Sequence, residues 1–343
     1  MLRAVVVLAA AARGALQRTP AAPCQNFIIL KYAHTGSTWF VDELNGIDRF
    51  YIIEEFLMER FKESKELPTS AADIQQHFVE ALTRPCEGDV RAIGLSQNPA
   101  HHTLTRPGLD WTPFDWRFLA DLQRQHPFTV VLWYRSNVVS RAIGLINEYR
   151  PEMKFCRKLK HPNSTKVLEI LGNDKKLKDC RSSKFALDKT RFLRSITWGF
   201  CEIALYKKLA DYISGNKTHP MSYEDFVRDE DGELSRMMKK KIMKELAPGR
   251  RGGRDALLKA RTPSDIVKRS NSVAKRMVTN AKEVEGWFDE WGGPAPLWNM
   301  FHDQNMSSFA EVGAQAACDH FSDLCKQNGM TTCLKLEQFT MGD

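Results

Sequence analysis

The sequence predicts an α/β fold of three layers, α/β/α, with a central parallel sheet covered by helices on both faces. Three observations predict it. Continuous apolar runs of strand length lie at 27–30, 92–95 and 128–134, with a shorter one at 220–223. Such runs suit strands buried on both sides. Stretches of helical periodicity alternate with them, which implies parallel strands joined by helical crossovers. A small, hydroxyl-rich loop follows the first run, at the carboxyl end of a strand, where open α/β sheets hold their ligands.

Taken along the chain, the N-terminal 23 residues read as a targeting segment. Arg3, a nine-residue apolar run from Ala4 to Ala12, then Arg13 and Arg18 precede the first acidic residue, Asp42. The run is too short to span a bilayer. It fits the hydrophobic part of a secretory signal or an alanine- and arginine-rich transit peptide. Any membrane association would come through this segment alone. From residue 24 to 343 one domain is expected, since a chain of this length with 43% hydrophobic residues can bury a full core.

The strand at 27–30 opens the domain. A helix over 70–82 starts at a capping serine, Ser70, and 114–124 carries an amphipathic face. A long helix spans 191–212, with Phe192, Ile196, Phe200, Ile203 and Leu209 at helical spacing and therefore facing the core. Trp198, mid-helix, reads as core packing. The stretch 151–184 is polar, lysine-rich and holds two cysteines, which marks an insertion or lid. The segment 247–262, rich in Gly and Arg, reads as a mobile loop. Tyr223, Glu224 and Asp225 open a helix after the last strand, where acidic groups favour the dipole, so capping is their default role.

A formal charge of +8 favours an anionic ligand or surface. No recognition motif for nucleic acid stands out. The densest basic spots, Met238-Lys239-Lys240-Lys241 and Gly249-Arg250-Arg251-Gly252-Gly253-Arg254, read as solvated faces. Eight cysteines, together with the triplets Asn163-Ser164-Thr165, Asn216-Lys217-Thr218 and Asn305-Met306-Ser307, lean toward the secretory lumen. Cys318, Cys325 and Cys333 are the candidate disulfide partners.

The chemistry centres on Thr35, Gly36, Ser37 and Thr38, between the first strand and a following helix. Glycine lets a ligand approach the backbone, the hydroxyls offer hydrogen bonds, and the helix start adds unpaired N–H groups. The loop is no nucleotide P-loop, because G-x-x-x-x-G-K-[ST] is absent. A second candidate is Arg135, at the end of the run 128–134. There a forked guanidinium can clamp a phosphate.

These segments resemble the sulfotransferase family in four places. Lys31-Tyr32-Ala33-His34-Thr35-Gly36-Ser37-Thr38-Trp39 resembles its 5′-phosphosulfate loop, usually Tyr-Pro-Lys-Ser-Gly-Thr-Thr-Trp. Val131-Leu132-Trp133-Tyr134-Arg135-Ser136-Asn137-Val138-Val139-Ser140 is similar to its 3′-phosphate motif, a strand ending in Arg before a helix. Tyr223-Glu224-Asp225-Phe226 resembles its Tyr-Glu-Asp-Leu stretch, and Asn280-Ala281-Lys282-Glu283-Val284 its C-terminal Asn-x-x-Glu-Val element. The resemblance, nearest to the carbohydrate and bacterial glycolipid branches, covers roughly residues 27 to 290.

It implies transfer of a sulfuryl group from 3′-phosphoadenosine-5′-phosphosulfate to a hydroxyl of a carbohydrate or small polar acceptor. Residues 34–38 would hold the phosphosulfate, and Arg135 with Ser140 the 3′-phosphate. No metal is implied, because the transferred group carries less charge than a phosphoryl. His34 stands where the family has lysine or arginine, and a protonated histidine there would offset leaving-group charge. The family's serine beyond Arg135 falls on Ile143 or Gly144, so Ser140 is the nearest hydroxyl. For the general base, Glu54 in Phe50-Tyr51-Ile52-Ile53-Glu54-Glu55-Phe56 matches the Glu-Tyr-Phe element of the glycolipid branch. His101 and His102, after Ser96-Gln97-Asn98-Pro99, match the position of the histidine base in cytosolic members. Two other readings stand beside this one: a P-loop kinase of unusual sequence, and an inactive relative that only binds.

Overall fold

A computed structural model of the chain describes residues 24–32, 35–45, 50–53, 71–87, 90, 92–99, 116–153, 184–224, 274–302 and 313–330. Among the described residues five strands form one sheet: β1 (Gln25–Lys31), β2 (Phe50–Ile53), β3 (Ala92–Gln97), β4 (Thr129–Tyr134) and β5 (His219–Ser222). All neighbours are parallel and the order is β2-β3-β1-β4-β5. β1 therefore lies at the centre, with β3 and β4 against its two edges. Four of the five strands coincide with the apolar runs. The fifth, β2, falls on Phe50–Ile53, which in the sequence stands out only as the lead-in to Glu54 and not as a strand. It is four residues long, pairs with β3, and leaves Tyr51 exposed.

The alternating residues of β1 enter different cores, as strands buried on both faces must. Phe27 and Ile29 join Ala92, Val131, Trp133 and Met221 on one side of the sheet, where α1 (Ser37–Asn45) packs through Phe40, Val41 and Leu44. Phe40 lies flat on Trp133, ring centroids 3.8 Å apart. Ile28, Leu30 and Tyr32 point to the other side, into a far larger core. That core is built by α2 (Ala71–Leu82), α3 (Phe118–Gln125), α4 (Val138–Glu148), α5 (Lys189–Ser214), α6 (Ala281–Trp291), α7 (Leu297–Phe301) and α8 (Ala314–Gln327).

The long helix α5 matches its sequence signature. Asp188 caps its start by accepting from the Arg191 N–H at 2.8 Å, and Gly215 ends it in the left-handed conformation. Phe192, Ile196, Phe200, Ile203 and Leu209 are all buried, whereas Trp198 is only half-buried. α8 packs along α5, with Phe200 stacked on Phe321 at 5.5 Å. A disulfide between Cys201 and Cys318 joins the same pair of helices. A second disulfide, Cys24–Cys86, ties the start of β1 to the chain beyond α2. Of the cysteines expected to pair, Cys318 thus bonds to Cys201, and Cys325 is disulfide-bonded as well.

Among the described residues a charged pair sits inside the large core. Arg141 of α4 and Glu202 of α5 meet at 2.5 Å, both almost completely shielded from solvent. Burial pushes the Glu202 carboxyl up and the Arg141 guanidinium pulls against it. The same guanidinium lies over the ring of Tyr32, 4.4 Å from its centroid.

Residues 1–23, expected to form a targeting segment, residues 154–183 of the expected insertion and residues 247–262, expected to form a mobile loop, lie outside the described residues. Among the described residues, no helix is long and apolar enough to cross a membrane.

Candidate functional site

At the carboxyl end of β1 the chain turns directly into α1. Gly36 makes the turn with φ +73°, a conformation L side chains rarely adopt. A Cβ at Gly36 would also stand 2.6 Å from two ring carbons of Tyr223, so both the backbone and its neighbour demand glycine. The Gly36 carbonyl accepts the first bond of the helix, from Phe40 N–H at 3.0 Å. The N–H groups of residues 37–39 then lie in the first turn with no intrahelical acceptor, which makes this helix end a donor-rich pole.

The hydroxyls of the loop divide their work. Thr35 is fully buried, and its Oγ1 donates to the Tyr32 carbonyl at 2.9 Å, while its own carbonyl accepts from Trp133 Nε1 at 3.0 Å. Its hydroxyl proton thus helps to shape the loop. Ser37, the first residue of α1, is nearly buried and makes no hydrogen bond through its side chain to any described residue. Thr38 belongs to the first turn of α1.

Arg135 follows β4, the strand next to β1. The Tyr32 hydroxyl grips its backbone twice, accepting from Arg135 N–H at 3.0 Å and donating to Arg135 C=O at 3.2 Å. That residue both enters the loop from β1 and fixes the exit from β4. Burial drives the Tyr32 hydroxyl far up from the ordinary tyrosine range, so it keeps its proton for this contact. The Arg135 guanidinium lies over the Tyr223 ring, 5.0 Å from its centroid, and its Nε donates to Glu224 at 3.3 Å. Its two Nη groups bond to none of the described residues, and about a quarter of the side chain is open to solvent.

Glu224 is tied more firmly to Ser136 than to Arg135. Its carboxylate accepts from Ser136 N–H at 2.7 Å and from Ser136 Oγ at 2.8 Å. The capping role expected of this acidic group is thus replaced by a link between β5 and the end of β4. Nothing in the local sequence signals that, because it depends on two strands 89 residues apart becoming neighbours. Tyr223 was likewise read as structural, yet its ring touches both the Gly36 turn and Arg135.

The structure brings together Gly36, Ser37, Thr38 of α1 and Arg135 around the ends of β1 and β4. Ser140 lies in the first turn of α4, where its N–H donates to the N-cap Asn137 at 2.8 Å. Asn280 sits elsewhere in role: its side chain accepts from Leu187 N–H at 2.9 Å and donates to Leu187 C=O at 3.1 Å, pinning the approach to α5 against α6. His34, Glu54, His101 and His102 lie outside the described residues. Sequence reasoning passed over Lys31, the last residue of β1, which is 2% exposed and engaged with a partner. A lysine so deeply buried is unusual. Among the described residues no cluster of side chains is suited to hold a metal ion.

Chemically, the arrangement offers two separate sets of donors for negative charge. One is a helix pole with a glycine turn, the other an arginine whose two Nη groups bond to none of the described residues. Comparison of the chain with protein-family models finds no matching family, and no curated protein matches it.

Proposed function

We propose that the chain is a sulfotransferase that moves a sulfuryl group from 3′-phosphoadenosine-5′-phosphosulfate to a hydroxyl of a carbohydrate or small polar acceptor. The observation that carries this reading is the pairing of two anion-binding sets at the ends of adjacent strands. The α1 pole with Gly36 suits the phosphosulfate end of the donor. Arg135, its Nη groups unengaged by described residues, suits the 3′-phosphate. A ligand with one anionic group would leave one set idle. The sequence resemblances at 31–39 and 131–140 fall on these two elements, and a third begins beside both, at Tyr223 and Glu224. The fourth, at 280–284, lies at the start of α6, where Asn280 holds Leu187.

The reaction is an in-line displacement. The acceptor oxygen attacks sulfur, the bond from sulfur to the phosphate oxygen breaks, and adenosine 3′,5′-bisphosphate leaves with that oxygen's charge. Positioning and charge stabilisation supply most of the rate, as in phosphoryl transfer. The α1 N–H groups stabilise the departing phosphate oxygens, and His34 is assigned the contact with the bridging oxygen. Glu54 is the first choice for taking the acceptor's proton, with His101 and His102 the alternatives.

The disulfides Cys24–Cys86 and Cys201–Cys318 support an oxidising compartment, and with the three glycosylation triplets they favour the secretory lumen, the Golgi in particular. Asn216 stands exposed at the turn after α5. A glycosidase-induced mobility shift that disappears on Asn216→Gln, with residues 163 and 305 tested alongside, checks this assignment.

Thermal denaturation with adenosine 3′,5′-bisphosphate tests the activity reading. A site-bound ligand at a hundred times its Kd adds about 2.7 kcal/mol of stability, a clear rise in melting temperature. Equal concentrations of ATP with magnesium should give no rise. A rise with ATP alone would move the assignment to a kinase, and no response to either nucleotide would remove both enzyme readings.

A further inference from the structure

The two anion-binding sets meet through one dipeptide. Tyr223 and Glu224, directly after β5, touch the Gly36 turn with a ring edge, Arg135 with the ring face and a carboxylate, and Ser136 with the same carboxylate. We propose that Glu224 is a positioning residue: it holds Arg135 so that the Nη edge of the guanidinium faces the 3′-phosphate, and thereby sets the selectivity for a 3′-phosphorylated nucleotide. The inference rests on the sulfotransferase reading and adds to it the residue that creates the preference.

Geometry favours holding over competition. Glu224 takes only Nε of Arg135, and at 3.3 Å. Its shorter bonds go to Ser136 N–H and Oγ, at 2.7 and 2.8 Å, so the carboxylate would stay in place without the arginine. With Nε engaged and Tyr223 beneath the plane, rotation of the guanidinium is restricted on two sides. The end-on pair of Nη groups is left for a planar, two-point contact with phosphate. An arginine restrained before the ligand arrives loses less side-chain freedom on binding. Tyr32 fixes the backbone of the same residue, so main chain and side chain are restrained from opposite sides of the sheet.

The experiment is a set of dissociation constants for adenosine 3′,5′-bisphosphate and adenosine 5′-monophosphate, measured on the full chain. The ratio of the two reports the 3′-phosphate contact alone. Glu224→Gln keeps the shape but exchanges an acceptor for a donor against Ser136 and Arg135. It should shrink the ratio by about tenfold, a loss of roughly 1.4 kcal/mol at one phosphate, while affinity for the monophosphate changes little. Ser136→Ala removes one anchor of the carboxylate without altering net charge. It should shrink the ratio in the same direction by a smaller factor, and it decides the matter alone if Glu224→Gln does not fold. A role confined to stability would lower the melting temperature and leave the ratio unmoved in both variants, which overturns the proposal. Tighter binding of the bisphosphate by Glu224→Gln would also overturn it, because Glu224 would then be competing for Arg135. If the unaltered chain binds neither nucleotide, the sulfotransferase reading falls first, and the proposal with it.

Discussion

The two faces of the sheet are built to different scales. On one side, among the described residues, a single nine-residue helix, α1, covers Phe27, Ile29, Trp133 and Met221. On the other, helices α2 to α8 enclose a core that includes a buried ion pair, with a disulfide between two of its helices. The thin side carries the glycine turn and the donor-rich helix pole. The thick side holds most of the buried apolar area, and so most of the hydrophobic stabilisation. Stability and the proposed ligand chemistry thus rest on different sides, and the contrast can be broken or sharpened by substitution.

Arg141→Met on the thick side should be the costliest change. It leaves Glu202 ionisable and unpaired in the core, a loss of about 3–5 kcal/mol. Chemical denaturation should show it as a large drop in midpoint, and a stability within error of the parent would mean the pair lies in a wetter place than its burial indicates. Replacing Cys201 and Cys318 together by serine should cost about 2–4 kcal/mol, because the bridge closes a long loop in the unfolded chain. Reductant should move the parent's melting temperature downward and leave that of the double variant less affected.

Tyr32→Phe tests the point where the two faces communicate. Tyr32 belongs to the large core, yet its hydroxyl holds the backbone of Arg135. Its removal should cost about 1–3 kcal/mol, since the Arg135 N–H loses a buried partner. Binding of the bisphosphate should weaken as well. If stability falls and binding does not, the faces are more independent than the Tyr32 contact implies.

The smallest effect is expected at Glu285, on α6 and away from both cores. A hydrogen bond from Lys275 at 2.7 Å, with His302 at 2.9 Å, holds its carboxyl below the ordinary value near 4.5. A lowered folded-state pKa stabilises the fold above the unfolded pKa, and that contribution fades as pH falls below about 4.5. Because the groups are partly exposed, Glu285→Gln should cost well under about 1 kcal/mol at pH 7. The parent and variant curves should converge in acid; a gap that widens on acidification would contradict the lowered pKa.

Much of the fold was legible because apolar runs and helical periodicity are local signals. The strands at 27–30, 92–95, 128–134 and 220–223 and the helix over 191–212 all stand close to their expected bounds. β2 carries as long an apolar run as 27–30; what sets it apart is its place at the sheet edge with Tyr51 exposed, which only the strand order reveals. Within the site, Gly36 and Arg135 could be named from their types and positions. That the Thr35 hydroxyl donates to Tyr32 C=O was not legible, because it depends on how the loop closes back on the end of β1.

The sequence by itself determined the alternation of buried strands and helices, the glycine turn after β1 and the arginine after β4. Each of these is a property of a few adjacent residues, and local sterics and hydrophobicity suffice to dictate it. Only the tertiary structure decided that β4 and β5 flank one another and bring Glu224 to Arg135 and Ser136. It alone joined Arg141 to Glu202 and Cys201 to Cys318. Those contacts connect residues 61 to 117 positions apart, and no local rule can supply them, because each exists only once the sheet order has set which ends stand side by side.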